Sequence, residues 1–300
     1  QKLDGLISAL LTTHTSKILT SPVAMARAFG NPFDPARIKL FETLFLALHQ
    51  SEFKSYPDQN IKPPAFKNFA FFESYFSNYI EGTVFELEEA KDIISTERPL
   101  PNRNEDSHDI LGTYKLVGNM KEMKTLPESA EKLLSILEYR HQILLGARLD
   151  KKPGKFKDKN NRAGNTHFVD YTLVRGTLIK GFEYYSVLND PFAKAAYIMF
   201  MISEIYPFSD GNGRIARVMM NAELVKAGQT RIIIPTVYRD DYLGALRRLS
   251  RQSDPELYIR MLQRAQRFCS TLKANSMDFM QVQLEKSNAF KEHEESRLTF

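Results

Sequence analysis

Apolar residues recur three and four positions apart along most of the chain, which is the spacing of amphipathic helices. The pattern predicts helices over residues 3–11 and 38–48, separated by Pro32 and Pro35. A longer helix is predicted over residues 126–149, because proline and acid occupy its first turn, as helix starts favour. The sequence therefore predicts a mainly helical protein.

The most apolar stretch covers residues 192–205, where nearly every position around a helix is hydrophobic. Asp190 and Pro191 precede it as the N-cap and the first helical residue. A helix with so little polar surface is expected to be buried. A second helix is predicted over residues 213–227 and ends at Gly228, a common C-terminal cap. The short polar segment between these two helices is thus expected to start from the protein interior.

Composition narrows the class of protein. The net charge of +5 comes from 41 basic and 36 acidic residues, without a long basic run interleaved with aromatics, so nucleic acid is not an expected partner. No apolar run approaches the roughly 20 residues that span a bilayer, so no membrane association is expected. The single cysteine, Cys269, excludes an internal disulfide and fits a reducing compartment, so we expect a soluble cytoplasmic protein.

The polar segment between the two central helices has the composition of a phosphate-binding loop. It reads YPFSDGNGRIAR over residues 206–217. Gly211 and Gly213 allow the backbone to close on a ligand, so that successive N–H groups point into one concavity. The helix that follows contributes its free N–H groups and the positive end of its dipole. An anionic ligand is therefore expected at the start of this helix.

The same segment resembles the signature of the Fic (Fido-fold) family, HPFx(D/E)GNGRxxR, most members of which transfer AMP from ATP to a hydroxyl of a target protein. Of the nine specified positions eight match, namely Pro207, Phe208, Asp210, Gly211, Asn212, Gly213, Arg214 and Arg217. The ninth position is the family's catalytic histidine, and here it is Tyr206. The resemblance implies a Fic-type helical core with ATP and Mg²⁺ as its cofactors.

The resemblance also implies roles for the residues of the loop. Asp210 would hold Mg²⁺, since this cation usually takes only one or two carboxylates from a protein. Asn212 and the backbone N–H groups of Gly211 and Gly213 would contact the α-phosphate of ATP. Phe208 would anchor this nucleotide-binding loop in the core.

Two arginines would complete the phosphate contacts, Arg214 at the β-phosphate and Arg217 at the γ-phosphate. Upstream, residues 77–82 read SNYIEG and resemble the family's inhibitory motif, (S/T)xxxE(G/N), with Ser77, Glu81 and Gly82 at its fixed positions. The resemblance implies that Glu81 pairs with Arg217 and blocks the γ-phosphate, because a carboxylate and a phosphate compete for the same guanidinium donors. In the structural alternative, Glu81 lies at a helix end and Gly82 is its left-handed cap.

A polar loop over residues 150–165 carries six basic residues, Lys151, Lys152, Lys155, Lys157, Lys159 and Arg162. Such a run is either simply solvated or a surface that docks an acidic target or supports the phosphates. Within it, residues 153–157 (PGKFK) resemble the PGxFR run that precedes the flap of Fic proteins, with Lys157 in place of arginine. The resemblance implies a small β-hairpin flap over residues 156–169, which would align a protein target by strand pairing.

Tyr206 is where the chain departs from the family. A histidine with a pKa of about 6.5 accepts a proton at neutral pH, whereas a tyrosine with a pKa of about 10 is already protonated. His167, on the predicted flap, is either a substitute base or a surface residue. Two functions stay open: an AMP transferase that Glu81 inhibits and Tyr206 weakens, and a catalytically inactive nucleotide-binding regulatory module. Phosphoryl transfer is a third alternative, which the unaltered residues 211–214 disfavour.

Together these patterns predict an all-α protein with a Fic helical core, a small β-hairpin flap and an N-terminal helical extension. Residues 1–64 would form the extension, residues 65–125 the region of the inhibitory helix, residues 126–270 the Fic core and residues 271–300 a C-terminal helical tail. The protein target is expected along residues 156–169, and self-association is left open.

Overall fold

The computed structural model describes residues 21–164 and 166–300, so the helix predicted over residues 3–11 lies outside the described residues. The helices, in chain order, are α1 (Pro22–Ala28), α2 (Pro35–His49), α3 (Pro63–Ile80), α4 (Leu87–Thr96), α5 (Asn104–Val117), α6 (Met120–Met123), α7 (Ala130–Leu144), α8 (Val174–Val187), α9 (Pro191–Ile205), α10 (Asn212–Lys226), α11 (Arg239–Gln252), α12 (Glu256–Cys269) and α13 (Met277–Lys286). In the same part of the chain, β1 (Arg162–Ala163) and β2 (Thr166–His167) form an antiparallel hairpin. The prediction of a mainly helical fold with a small β-hairpin is confirmed.

The centre of the fold is the pair α9 and α10. Asp190 caps α9 by accepting a hydrogen bond from the Ala193 N–H at 2.9 Å, and Pro191 is the first helical residue, as the sequence predicts. Nearly all side chains of α9 are buried. α2, α8 and α10 pack around it. The loop that joins α9 to α10 therefore starts from the interior of the protein.

Two elements differ in extent from the predicted ones. The helix expected over residues 126–149 is α7, and it starts later because Ser129 caps it, with its hydroxyl accepting from the Lys132 N–H at 3.2 Å. Residues 95–125, whose prolines and asparagines predict a connection with a short helix, contain the 14-residue helix α5. Gly112 lets α5 approach the end of α7, since a β-carbon there would collide with the Leu144 carbonyl oxygen. α5 thereby reaches the interior, where it packs against α3 and α7.

Elements near both ends of the described chain pack into its interior. Phe41 and Leu44 of α2 are fully buried in the main hydrophobic cluster. The helical tail ends with α13, and the residues after it fold back: Ala289 and Leu298 are buried in a second cluster together with aromatic side chains of α3. Within residues 21–164 and 166–300, no helix combines the length and the apolar character that crossing a membrane requires.

Candidate functional site

The loop between α9 and α10 begins and ends in left-handed backbone conformations. Tyr206 has a φ of 55°, and Gly211 has a φ of 73°. Glycine adopts this conformation freely, whereas for tyrosine it costs roughly 1–2 kcal/mol. The Tyr206 N–H donates to the Ile202 carbonyl at 2.9 Å, and its ring stacks on Phe168 with 3.9 Å between the ring centroids. These contacts hold the strained residue in place at the end of α9.

Asn212 closes the loop on itself. Its Oδ1 accepts from the Phe208 N–H at 2.8 Å, and its Nδ2 donates to the Phe208 carbonyl at 3.0 Å. The Phe208 side chain is fully buried. The side-chain groups of Asn212 are therefore engaged with the loop backbone in this conformation, and the Phe208 ring lies in the core and not on the ligand side of the loop.

His141 of α7 holds the loop through both of its ring nitrogens. Its ring stacks on Phe208, with 3.8 Å between the centroids and 3° between the planes. The Gly154 N–H donates to Nδ1 at 2.9 Å, which leaves the proton on Nε2, and Nε2–H donates to the Asp210 carbonyl at 3.1 Å. Burial lowers the pKa of His141 from 6.5 to about 4, so the imidazole is neutral at neutral pH. The sequence carries little sign of this role, because a histidine on a helix is not distinctive.

The neutral state of His141 predicts a pH dependence of stability. Its pKa is lower in the folded protein than in the unfolded chain, so between pH 6.5 and about 4 the unfolded chain binds more protons. Above pH 6.5 the His141 side chain is neutral in both the folded and the unfolded protein, so its pKa shift does not lower stability there. The free energy of unfolding should fall by about 3 kcal/mol as the pH decreases toward 4. His141→Gln should remove this part of the slope in urea unfolding measured from pH 4 to 7. His49→Gln, at an exposed histidine, is the control, and an unchanged slope in His141→Gln would contradict the assignment.

The segment before the hairpin supports the other side of the loop. The Lys157 N–H donates to the Pro207 carbonyl at 2.9 Å, and Lys157 Nζ donates to Asn161 Oδ1 at 2.8 Å. Burial lowers the pKa of Lys157 to about 8. The basic run is therefore not uniform: Lys157 is part of the packing around the loop, whereas Lys155 and Lys159 are exposed.

Glu81 lies directly on the first turn of α10. Its Oε1 accepts from Arg217 Nη2 at 2.6 Å. Ser77 holds the same guanidinium, with Nε donating to its Oγ at 3.0 Å and Nη2 to its carbonyl at 2.8 Å. A β-carbon at Gly213 would collide with the Glu81 carboxylate, which shows how closely the two approach. Gly82 follows with a φ of 94°, so Glu81 lies at the end of α3 and pairs with Arg217 as well.

A cavity of about 480 Å³ opens beside the Glu81–Arg217 pair, within the usual size range of small-molecule sites. Its wall includes Glu81, Tyr206, Gly213 and Arg217 around the loop, Glu204, Leu243, Leu246 and Ser250 from α9 and α11, and Ala163, Thr166 and Phe168 from the hairpin region. His167 is exposed and lies outside this wall. The structure thus brings the two ends of the motif and the upstream Glu81 together around one space.

Arg214 and Asp210 lie outside the cavity wall. The Arg214 side chain is 3% exposed, and its Nη1 contacts Asp109 Oδ2 at 2.6 Å and donates to Asn78 Oδ1 at 3.2 Å. Its Nη2 is 3.8 Å from Asp210 Oδ1, which also accepts from the Gly211 N–H at 2.6 Å. Among the described residues these contacts all involve Oδ1, so Oδ2 of the 38% exposed Asp210 side chain is available to a cation. Neither Asp109 nor Asn78 is distinguishable as a site residue from the sequence pattern.

Tyr206 differs from a catalytic base in its acidity. Burial, together with the nearby carboxylates of Glu81 and Asp210, raises the pKa of its phenol to about 12. The phenol is therefore protonated at neutral pH. In that state it can donate a hydrogen bond, but it is not a base.

The geometry defines a helical protein with a glycine-containing loop at the start of α10, beside which a carboxylate from another helix pairs with Arg217. Residues 133–224 match the family model described as Fic/DOC family. Over 207 residues it is 28% identical to the protein adenylyltransferase Fic of Drosophila persimilis, an alignment that covers 65% of this chain and 39% of that protein. The chain therefore spans about two fifths of the length of the curated relatives it matches.

Solved structures share the fold. A Fic-domain-containing signaling protein from Bacteroides thetaiotaomicron superposes with a TM-score of 0.59 at 18% identity, covering 81% of this chain and 98% of that one. Fic-1 from C. elegans superposes with a TM-score of 0.55 at 15% identity, covering 96% of this chain and 82% of that one. At these identities the likeness concerns the fold alone.

Proposed function

We propose that this chain binds Mg-ATP at residues 206–217 and transfers AMP to a hydroxyl of a protein target, with Glu81 holding the site inhibited. The observation that carries the proposal is the Glu81–Arg217 pair, 2.6 Å long, beside the cavity at the start of α10. The N–H groups and dipole at a helix start favour an anion, and here a carboxylate from the same chain takes that position. The similarity to protein adenylyltransferases supports AMP transfer as the reaction.

The loop residues fit a magnesium nucleotide. Among residues 21–164 and 166–300, no group of three or more acidic, histidine or cysteine side chains could hold a metal alone. Mg²⁺ typically binds one or two carboxylates, several waters and the phosphates of its substrate, so Asp210 with its available Oδ2 suits it. When bound there, Mg²⁺ would neutralise part of the phosphate charge. Gly213 and the start of α10 offer backbone N–H donors to the same phosphates, whereas the Gly211 N–H already donates to Asp210 Oδ1 at 2.6 Å.

Inhibition by Glu81 follows from competition for Arg217. The Arg217 side chain is 6% exposed and is also held by Ser77 and Tyr242, whereas the Glu81 side chain is 31% exposed. The arginine is thus the fixed member of the pair, and the glutamate is the member that can leave. A phosphate and the Glu81 carboxylate require the same donors and repel each other, so a fully bound triphosphate needs Glu81 to move away.

A nucleotide-binding module without catalysis is the second candidate, and Tyr206 is the observation that favours it. AMP transfer requires a group that accepts the proton of the target hydroxyl. The Tyr206 phenol, with its pKa raised to about 12, does not meet this requirement. His167 is exposed and outside the cavity wall, which weakens its case as a substitute base. In this alternative the site would sense the bound nucleotide.

We further propose that a protein target binds along the hairpin. Arg162 and Ala163 of β1 are exposed, and the neighbouring residues Thr166 and Phe168 line the cavity. A segment paired with the hairpin would therefore pass close to the cavity, where its hydroxyl could meet the nucleotide.

Transfer of label from ATP tests the proposed reaction. Wild type, Glu81→Gly and the control Glu88→Gln, at an exposed glutamate, are incubated with ATP labelled on the α- or the γ-phosphate. We expect protein-bound α-label above the wild-type level in Glu81→Gly only, because removal of the carboxylate opens Arg217 to the nucleotide. Transfer of γ-label alone would indicate a kinase, and nucleotide binding without any transfer would favour the second candidate.

A further inference from the structure

A cluster of buried charges lies behind the loop, outside the cavity. Asp109 of α5 contacts two arginines through Oδ2, Arg214 Nη1 at 2.6 Å and Arg148 Nη1 at 3.4 Å. Asp109 is 5% exposed and Arg214 is 3% exposed. Among the described residues, Asp109 Oδ1 and the Nε atoms of both arginines are buried without a hydrogen-bond partner. So many unmatched polar atoms in one place call for an explanation other than stability.

We propose that Asp109 is a positioning residue that holds the Arg214 guanidinium ready for a diphosphate group bound beside Asp210. This inference rests on the proposed function of the loop. A guanidinium is planar, so fixing one nitrogen between two acceptors fixes the direction of the others. Here Nη1 is held by Asp109 and by Asn78 Oδ1. Nη2 makes no hydrogen bond to the described residues and lies 3.8 Å from Asp210 Oδ1, so it is free for an anion at that point.

Asp109 also protects the cation site. Asp210 lies just before α10 and Arg214 lies in its first turn, close enough for a direct ion pair between them to be possible. Such a pair would occupy the carboxylate expected to bind Mg²⁺. Instead, Arg214 makes its closest contact with the buried carboxylate of Asp109, at 2.6 Å. The distance from Arg214 Nη2 to Asp210 Oδ1 is 3.8 Å, so the arginine does not form a close ion pair with Asp210. Asp109 therefore acts on both groups expected to contact the diphosphate: it orients Arg214, and it keeps the Asp210 carboxylate available to the metal ion.

This arrangement predicts which nucleotides depend on Asp109. A cation held by a single carboxylate relies on ligands from the phosphates, and two adjacent phosphates satisfy it better than one. Arg214, next to Asp210, faces the same part of the ligand. Loss of Asp109 should thus weaken the binding of ATP and ADP and leave the binding of AMP nearly unchanged. A purely structural ion pair would affect the three nucleotides alike.

The test measures the affinities of ATP, ADP and AMP in the presence of Mg²⁺ by isothermal titration, using the full chain with Glu81→Gly as the parent. We expect Asp109→Asn to lower the affinity for ATP and ADP by about tenfold or more, as for a lost hydrogen bond to a charged group. The affinity for AMP should fall by less than about twofold. Glu105→Gln is the matched control, because Glu105 also lies on α5 and contacts Arg148 at 3.1 Å but is exposed. It should leave all three affinities unchanged.

A double-mutant cycle separates positioning from other effects. Asp109→Asn should have no further effect on ADP affinity in a parent that also carries Arg214→Gln, because Asp109 acts through that arginine. If Asp109→Asn does not fold, Asp109→Glu is used in its place, because it keeps the charge but displaces it. Asp109→Glu should lower the affinity for ADP and leave the affinity for AMP nearly unchanged. Equal losses for all three nucleotides, or none, would overturn the inference while the proposed function stands. Absence of ATP binding to the Glu81→Gly parent would overturn both.

Discussion

Replacing Tyr206 by histidine in the Glu81→Gly protein is expected to raise the rate of AMP transfer by about 10²–10⁴, the usual contribution of a general base. The reason is protonation: the buried phenol has its pKa raised to about 12, whereas an imidazole with a pKa of about 6.5 accepts a proton at neutral pH. The substitution changes an aromatic residue that already stacks on Phe168, so the ring position should be kept. Initial rates of α-label transfer from ATP measure the effect.

Tyr206→Phe in the same background is the matched control. It keeps the ring and its stacking but removes the hydroxyl, so it should show no gain in rate. An equal rate in the histidine and tyrosine proteins would contradict the assignment of this position to proton transfer. Loss of a measurable rate on going from tyrosine to phenylalanine would show instead that the phenol takes part in the reaction.

Replacing Glu73 by alanine is expected to lower the free energy of unfolding by about 3–5 kcal/mol, because it leaves a buried charge without its partner. Glu73 Oε2 accepts from Arg231 Nη1 at 2.9 Å, and the side chains are 5% and 1% exposed. Asn221 of α10 donates to Glu73 Oε1 at 2.8 Å. The network joins α3, which leads to Glu81, to α10, which carries the loop. Urea unfolding followed by circular dichroism measures the loss.

An exposed ion pair provides the comparison for Glu73. Glu256 and Arg260 lie 3.2 Å apart on α12 with both side chains more than half exposed, so Glu256→Ala should change the free energy of unfolding by at most about 1 kcal/mol. Replacing Glu73 and Arg231 together by apolar residues should be less harmful than Glu73→Ala alone, since no unpaired charge is left. A loss below about 1 kcal/mol in Glu73→Ala would contradict the buried pairing.

The fold could be predicted where local sequence determines it. The apolar residues of α9, its cap at Asp190 and the glycines of the loop act over a few positions, and the pattern of each is readable along the chain. The helical class followed from the same kind of signal, whereas the hairpin was implied by the resemblance of residues 153–157 to the run that precedes the flap of Fic proteins. Helix ends were less certain, as Ser129 shows, because a cap competes with the helix-start pattern of the proline and acid that precede it.

The supports of the site could not be predicted in this way. His141, Asp109 and Asn78 reach the loop from three different helices, and each contact joins residues far apart in sequence. Nothing in the local pattern around Asp109 separates it from an exposed acid of a polar connection. Lys157 was readable as a member of a basic run and as the residue in place of the arginine of the PGxFR run, but neither pattern shows that its backbone and side chain pack against the loop. Such residues become visible only when the packing of the helices is known.

The affinity of wild type and Glu81→Gly for Mg-ATP, measured by isothermal titration, shows whether Glu81 blocks nucleotide binding. We expect weak binding to wild type and binding about tenfold or more tighter to Glu81→Gly, because Arg217 exchanges a carboxylate for a phosphate. Equal affinities in the two proteins, or no binding to either, would contradict the claim that residues 206–217 hold a magnesium nucleotide and that Glu81 blocks it.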